Sequence, residues 1–481
     1  MEWLLPDISF KIVSPEIILL ICGLLILILE PLLKGNKKNL LPHLSWIGVI
    51  LSLVIVLRLW GMERSSFNRM VISDNFSSFF NIIFLLGTFL VILSSVSYLK
   101  KESILQGEYF SLILFSTIGM MLMASSLNLI VIFLGLEVMS VSLYILAGFR
   151  KTDLRSNESS MKYFLIGAFA SGFLLYGIAL IYGVTGTVDL EQLMVIFSSP
   201  ELEKPVLLFI GIGLLIVGFG FKIASVPFQM WVPDVYQGAP TPVTALISSG
   251  PKAAGFAALL RVFVFGLGNL KPDWTVILWI LAALTMTIGN VIAISQTNIK
   301  RLLAYSSIAH AGYILIALVA GGSSGISSAM FYLLAYVFMN IGAFVVVVAL
   351  GENRTELDDY SGLGWKYPWL GVFMTIFMLS LAGFPPTGGF MAKFYVFSAA
   401  VKSGYIGLVI IAVLNSFVSV YYYLRVTVIM FMRSSSPETE PISFPYLWSL
   451  ALLLCTSGTL LLGILPQNFL LLAQNSVFLI F

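Results

Sequence analysis

The sequence is poor in the side chains from which most enzymes build a site. Its 481 residues hold two cysteines and two histidines, and charged residues make up 10% of the chain, against about a quarter in ordinary soluble domains. Cys22 and Cys455 fall in apolar runs far apart, without the close spacing of a metal site or a disulfide framework, so both are expected as small packing residues. His43 and His310 are too few and too isolated for a metal or haem site. The 26 Lys and Arg are scattered and the net charge is only +3, so no basic stripe suits nucleic acid. No glycine-rich phosphate loop, paired-carboxylate hydrolytic site or Ser/His/Asp set is discernible. The first 14 residues carry no basic stretch followed by a short apolar core, so no cleaved leader is expected and the first hydrophobic run is itself an anchor.

What the chain has in abundance is apolar length. Hydrophobic residues make up 59% of it, and 14 segments reach the length that spans a bilayer. The fold class expected is therefore an all-α polytopic membrane protein of about 14 transmembrane helices. Short loops join the segments, and none is long enough for a soluble domain or a nucleotide fold. With the N-terminus outside, the inner loops hold 13 basic residues, among them Lys100, Lys101, Arg150, Lys151, Lys300, Arg301 and Arg433, and the outer segments hold 6. The positive-inside rule then places both termini outside. Seven basic residues remain within or beside spans. Arg58, Lys162, Arg261 and Arg425 lie near helix ends, where they are expected to reach the headgroups. Lys222, Lys252 and Lys393 are deep, where a lysine costs about 3 kcal/mol on insertion scales.

Two spans are interrupted in the same way. The seventh, 206–230, runs into SVPFQMWVPDVYQGAPTP, and the twelfth, 368–400, contains LAGFPPTGGFMAKF. Proline removes a backbone hydrogen bond that lipid cannot replace, and broken helices at corresponding places in two halves point to a transport site. The spans form two tandem blocks of five, the fourth to eighth and the ninth to thirteenth. Five is odd, so the second block enters from the opposite face: two inverted five-helix repeats, if the blocks are related. The organisation read from this is 1–107 as an N-terminal three-helix segment, 108–266 as the first repeat, 267–432 as the second and 433–481 as a last helix and tail. From Glu137 to His310 is 173 residues and from Lys222 to Lys393 is 171, whereas from Pro227 to Pro386 is 159 and sets Lys393 opposite Asp234. Both registers stay open.

The polar residues at mid-span are the candidate site. Glu137 lies about ten residues into the fifth span, with Lys222 its nearest candidate partner by depth; protonating Glu137 would then release Lys222. The plainer alternative is an ion pair locking two helices, although buried pairs contribute little net stability. Lys252 sits about ten residues into the eighth span among Gly250, Ala253, Ala254 and Gly255, with no acidic partner in its own helix. It is expected to exchange a proton, or else to bond permanently to carbonyls freed by Pro251. His310 stands between Lys252 and Lys393 in the order of a proposed proton chain, or is a satisfied structural histidine. Lys393 follows the second break and would end the chain, unless it reaches the outer headgroups. Asp234 is expected to cap the approach to the eighth helix, and Asp358 and Asp359 to be solvated. The chemistry available is proton and charge transfer.

The runs SNESSMKYFLIGAFASGFLLYGIALIYGVTGT, PDVYQGAPTPVTALISSGPKAAGFAALLRV, NIKRLLAYSSIAHAGY and LAGFPPTGGFMAKF, in that order, strongly resemble the subunit N family of bacterial proton-pumping NADH:quinone oxidoreductase, respiratory complex I, over essentially the whole chain. The resemblance implies proton translocation along a mid-membrane polar axis, with Glu137, Lys222, Lys252, His310 and Lys393 matching the family's charged positions. It also implies a bacterial inner-membrane location and partner subunits that include other antiporter-like chains. Flavin, iron–sulfur clusters and quinone chemistry would belong to those partners, with no cofactor or metal in this chain. Multisubunit sodium/proton antiporters share the machinery and are the alternative; a stand-alone solute transporter and a purely structural scaffold are further ones.

Overall fold

The computed structural model describes residues 8–199, 204–434 and 444–477; part of the expected C-terminal segment, 435–443 and 478–481, lies outside them. Lipid offers no hydrogen bonds, so the backbone of each span must close its own, and the chain is helix after helix. In order these are α1 (Ser14–Leu29), α2 (Leu40–Leu59), α3 (Asn75–Lys101), α4 (Gly107–Ala124), α5 (Leu129–Ala147), α6 (Leu154–Thr185), the short α7 (Leu190–Ser198), α8 (Val206–Ile223), α9 (Val232–Gly238) and α10 (Thr241–Leu259). Then follow α11 (Lys271–Ile294), α12 (Ile299–Ala320), α13 (Gly322–Leu350), α14 (Leu363–Lys366), α15 (Pro368–Ala382), α16 (Gly388–Lys402), α17 (Ile406–Met432), α18 (Tyr446–Ile464) and α19 (Pro466–Gln474). Among the described residues, 12 helices are long and apolar enough to cross a membrane. The first expected span is a shorter helix of 16 residues, and the twelfth is two helices of 15 residues each, α15 and α16. The sequence did not announce α7 or a small antiparallel hairpin, Arg64–Ser66 with Val71–Ser73.

Burial sorts the helices by what they carry. α10 is wholly buried and α12 and α13 nearly so, while α2, α6, α11 and α17 keep wide lipid-facing sides. Small residues let helices approach in the absence of a hydrophobic drive between them. A Cβ at Gly312 would come within 2.5 Å of the Met286 nitrogen, and one at Gly289 within 2.8 Å of Ala309 N, so α11 and α12 touch backbone to backbone.

The two interruptions lie where the prolines stand, and each contains a cis peptide, Val226–Pro227 and Pro385–Pro386. After α8 the freed groups find partners: Trp231 Nε1 donates to the Phe221 carbonyl at 3.3 Å, and Val226 N donates to Thr285 Oγ1 at 3.0 Å. The second break is closed by Gly389 N on Ser380 Oγ at 3.1 Å and Thr387 Oγ1 on the Phe384 carbonyl.

A second correspondence is harder to see in sequence. Asn128 caps α5, accepting from Ile130 N and Val131 N, and Asn298 caps α12, accepting from Lys300 N and Arg301 N. Each asparagine also faces a later acidic residue across an isolated antiparallel bridge, Asn128 with Asp189 and Asn298 with Glu356. The flanking bonds match one for one: Leu129 N to Val188 O and Leu190 N to Leu127 O, against Ile299 N to Thr355 O and Leu357 N to Thr297 O. From 128 to 298 is 170 residues, close to the longer period, while the breaks keep the 159-residue spacing. The difference means that Lys222, in the last turn before its break, and Lys393, inside the helix after its own, do not hold equivalent places.

Candidate functional site

α5 places Glu137, Ser140 and Tyr144 at i, i+3 and i+7, along one stripe. Lys222 reaches this stripe from the end of α8, but its Nζ donates to Ser140 Oγ at 2.6 Å. No ion pair joins Lys222 to Glu137 among the described residues, and Glu137 Oε1 is buried without a hydrogen-bond partner. The expected direct pairing is thus replaced by a hydroxyl, because Ser140 is nearer the lysine than the carboxylate one turn back. Tyr144 and Tyr163 each hold a ring 5.8 Å from Lys222 Nζ, within cation–π range. The lysine stem packs at Gly255, where an added Cβ would lie 3.6 Å from Lys222 Cγ; Gly255 is three residues on from Lys252, on the same side of α10.

Lys252 is buried, and its Nζ donates to both the carbonyl and the hydroxyl of Ser307 on α12. The carbonyl comes from a neighbouring helix and not from the turn that Pro251 opens. No carboxylate pairs with Lys252 among the described residues, and the Tyr336 ring lies 5.2 Å from its ammonium.

His310 stands one turn beyond Ser307. Its Nδ1 meets Tyr332 OH at 2.6 Å and its Nε2 meets Tyr423 OH at 3.1 Å, and Tyr423 OH also bonds Ser306 Oγ. Lys393 is buried, not extended to the headgroups: its Nζ donates to the Ala382 carbonyl at 2.8 Å and to Ser416 Oγ at 2.9 Å, 4.9 Å from the centre of the Tyr313 ring. Ala382 is the last residue of α15, so the lysine takes a carbonyl that the break leaves free. A cavity of about 310 Å³ lies against it, lined by Gly383, Ser416 and Phe394 among others, which leaves the side chain room to change partner.

The structure therefore brings Lys252, His310 and Lys393 into one buried cluster through Ser307 and the tyrosines of α12, α13 and α17, and sets Glu137 and Lys222 in a second beside it. Sequence reading missed the hydroxyl partners. Tyr332, Tyr336 and Asn340 recur every four residues in α13, a polar stripe in an otherwise apolar helix, and that period was the available signal. Three other expectations change. Arg261 does not reach for headgroups; it is buried, with both Asp74 oxygens accepting from it at 2.7 Å. Asp234 lies in the first turn of α9 and pairs with Lys162 at 2.7 Å and Arg301 at 2.9 Å. Lys300, counted with an inner loop, is 1% exposed. Among the described residues no group of three or more His, Cys, Asp or Glu could hold a metal ion.

A helical bundle with two broken helices and a file of buried lysines and hydroxyls at mid-depth is the architecture of an antiporter-like membrane protein. The family described as "NADH:quinone oxidoreductase/Mrp antiporter, TM" matches residues 126–419. NADH-quinone oxidoreductase subunit N of Trichlorobacter lovleyi is 50% identical over 480 residues, 99% of each chain, and a chain of respiratory complex I from Thermus thermophilus is 36% identical with a TM-score of 0.83, covering 96% of this chain and 99% of that one. A chain of the Mrp complex from a Dietzia species shares the fold at 21% identity, with a TM-score of 0.85 over 98% of this chain and 97% of that one. The chain belongs to this family, among the proteins named NADH-quinone oxidoreductase subunit N.

Proposed function

We propose that the chain is a proton-translocating membrane-arm subunit of NADH:quinone oxidoreductase, moving protons along Glu137, Lys222, Lys252, His310 and Lys393 while the electron chemistry runs in partner subunits. The observation that carries it is Lys252: an ammonium buried at mid-span, bonded to neutral oxygens of Ser307 alone among the described residues. Ionisable side chains within membrane spans are costly and mark proton and ion pathways. Full-length similarity to proteins named subunit N, against likeness in fold alone to the Mrp chain, favours this reading over a sodium/proton antiporter. The matched asparagine clamps and the paired breaks support 108–266 and 267–432 as inverted repeats after the 1–107 segment and before 433–481. The gathering of Lys100, Lys101, Arg150 and Lys300 on one side supports that face as the inner one, with both termini outside.

The test is Lys252→Met beside Lys252→Arg, with assembly and NADH-driven pumping measured in membranes. Methionine removes the titrating group at nearly constant volume, and a guanidinium scarcely releases its proton, so both variants assemble and pump poorly. An assembled methionine variant with full pumping would remove Lys252 from the path.

A further inference from the structure

The inner end of α10 carries a charge cluster that the axis does not use. Glu352, just past α13, accepts from Thr241 N at 2.7 Å and Thr241 Oγ1 at 2.6 Å, and from Tyr98 OH at 2.9 Å. Lys300 Nζ lies 3.3 Å from its other oxygen and donates to the Ala239 carbonyl at 2.7 Å; the two side chains are 1% and 9% exposed. Burial pushes the Glu352 carboxyl up, but Lys300 and the Thr241 bonds more than offset that and hold it below the usual carboxylate value.

From this pair two polar stripes lead inward. Thr241, Thr244, Ser248 and Lys252 fall at i, i+3, i+7 and i+11 of α10, one face of the helix, and all are buried. Lys300 and Ser307 stand seven residues apart on α12, about 10 Å along one face. The stripes are stitched together. Thr244 Oγ1 and Lys300 Nζ share the Ala239 carbonyl, Asn340 Nδ2 donates to Ser248 Oγ at 2.6 Å, and Tyr236 OH meets Ser307 Oγ at 3.3 Å. Asn340 Oδ1 beside Ser248 is a buried acceptor without a partner, the kind of group that ordered water serves in protein interiors. Thr244, Ser248 and Lys252 do not bond one another directly, so water beside Asn340 would complete the file between them; a polar path so completed from face to mid-span is suited to carrying a proton.

We propose that Lys300 and Glu352 form the inner-face port through which Lys252 regains its proton. The inference rests on the proton-translocating role proposed above. In the forward step the Lys300 ammonium gives one proton to the file. Each hydroxyl or water takes one proton and passes one on, and the Lys252 amine becomes an ammonium. Lys300 is left neutral and its hold on the Glu352 carboxylate is lost, while Arg150, 3.9 Å from Oε2, and the Thr241 and Tyr98 bonds remain, so burial shifts the balance toward the carboxylic acid. Glu352 takes one proton from water at the inner face and hands it to Lys300, restoring both groups. One proton has moved and no oxidant or reductant is required.

The experiment uses the assembled complex in inside-out membrane vesicles, with native gels for assembly and NADH-driven proton uptake as readout. Lys300→Arg keeps the charge and the pairing with Glu352 but not the release of a proton. It assembles and loses pumping by about a hundredfold, the lower end for removing a positioned proton-transfer group. Glu352→Gln keeps the cap on Thr241 and falls likewise, whereas Glu352→Asp recovers most of the pumping. A structural latch gives the reverse order, with arginine tolerated and Lys300→Met lost from the membrane. Wild-type pumping in the assembled Lys300→Arg variant overturns the port, and failure of both Lys300→Arg and Glu352→Gln to assemble assigns the pair to structure and overturns it as well. Lys252→Met run alongside separates the two readings: if it pumps fully the axis falls, and if it is inactive while Lys300→Arg is normal only the port falls.

Discussion

Ser140 holds the position that charge pairing would have given to Glu137. A hydroxyl both donates and accepts, so it can hold the Lys222 ammonium and still bond the Leu136 carbonyl. Glu137, one turn back, keeps an oxygen without a partner. A carboxylate oxygen left free in this way is open to a water or another donor. Glu137→Ala is therefore expected to assemble normally and to slow coupled pumping roughly tenfold, about 1.4 kcal/mol in the barrier. The rate of NADH-driven proton pumping in the assembled variant checks this, and a wild-type rate takes Glu137 out of the path. At this scale the sequence revealed every charged residue of the proposed axis, because a lysine or glutamate in the middle of an apolar run is conspicuous. It did not reveal Ser307, Tyr423 or Ser140, because hydroxyls are common in membrane helices; the packing of α12 against α10 and α17 makes partners of the first two, and that of α5 against α8 of the third.

The breaks depend on what can approach them. A Cβ at Gly389 would collide with the Ser380 carbonyl, and one at Gly463 with that of Pro386, so the start of α16 is pressed between α15 and α18 with no room to spare. Gly389→Ala forces that contact apart, an overpacking worth about 1 to 3 kcal/mol. The expected outcome is less assembled complex on native gels, with Lys393 displaced from the Ala382 carbonyl. An Ala variant at wild-type abundance and activity would show that the break yields more easily than its packing suggests. Proline and glycine made both breaks readable from sequence. The relation between the halves was only half readable: the asparagine clamps keep a 170-residue spacing and the breaks keep 159, so no single register aligns both.

For the molecule as a whole, the asymmetry of Lys and Arg is the basis of the direction proposed for the chain in the bilayer. Alkaline phosphatase fused to the C-terminus is expected to be active outside the cell, and a green fluorescent protein fused there to stay dark; the opposite pair of results would invert both halves of the proposed path. Composition alone determined that this chain lives in a membrane, how many times its apolar segments recur and which charges are out of place, since each follows from the cost of putting that residue in lipid. Tertiary structure alone decided which of those charges meet. Lys300 reads as one more basic loop residue until α10, α12 and the turn after α13 close over it, and Arg261 reads as a headgroup anchor until Asp74 of a distant helix comes into reach. Partnership across hundreds of residues is a matter of which helix faces pack together, and a linear pattern of apolar and polar residues sets each face without naming its neighbour.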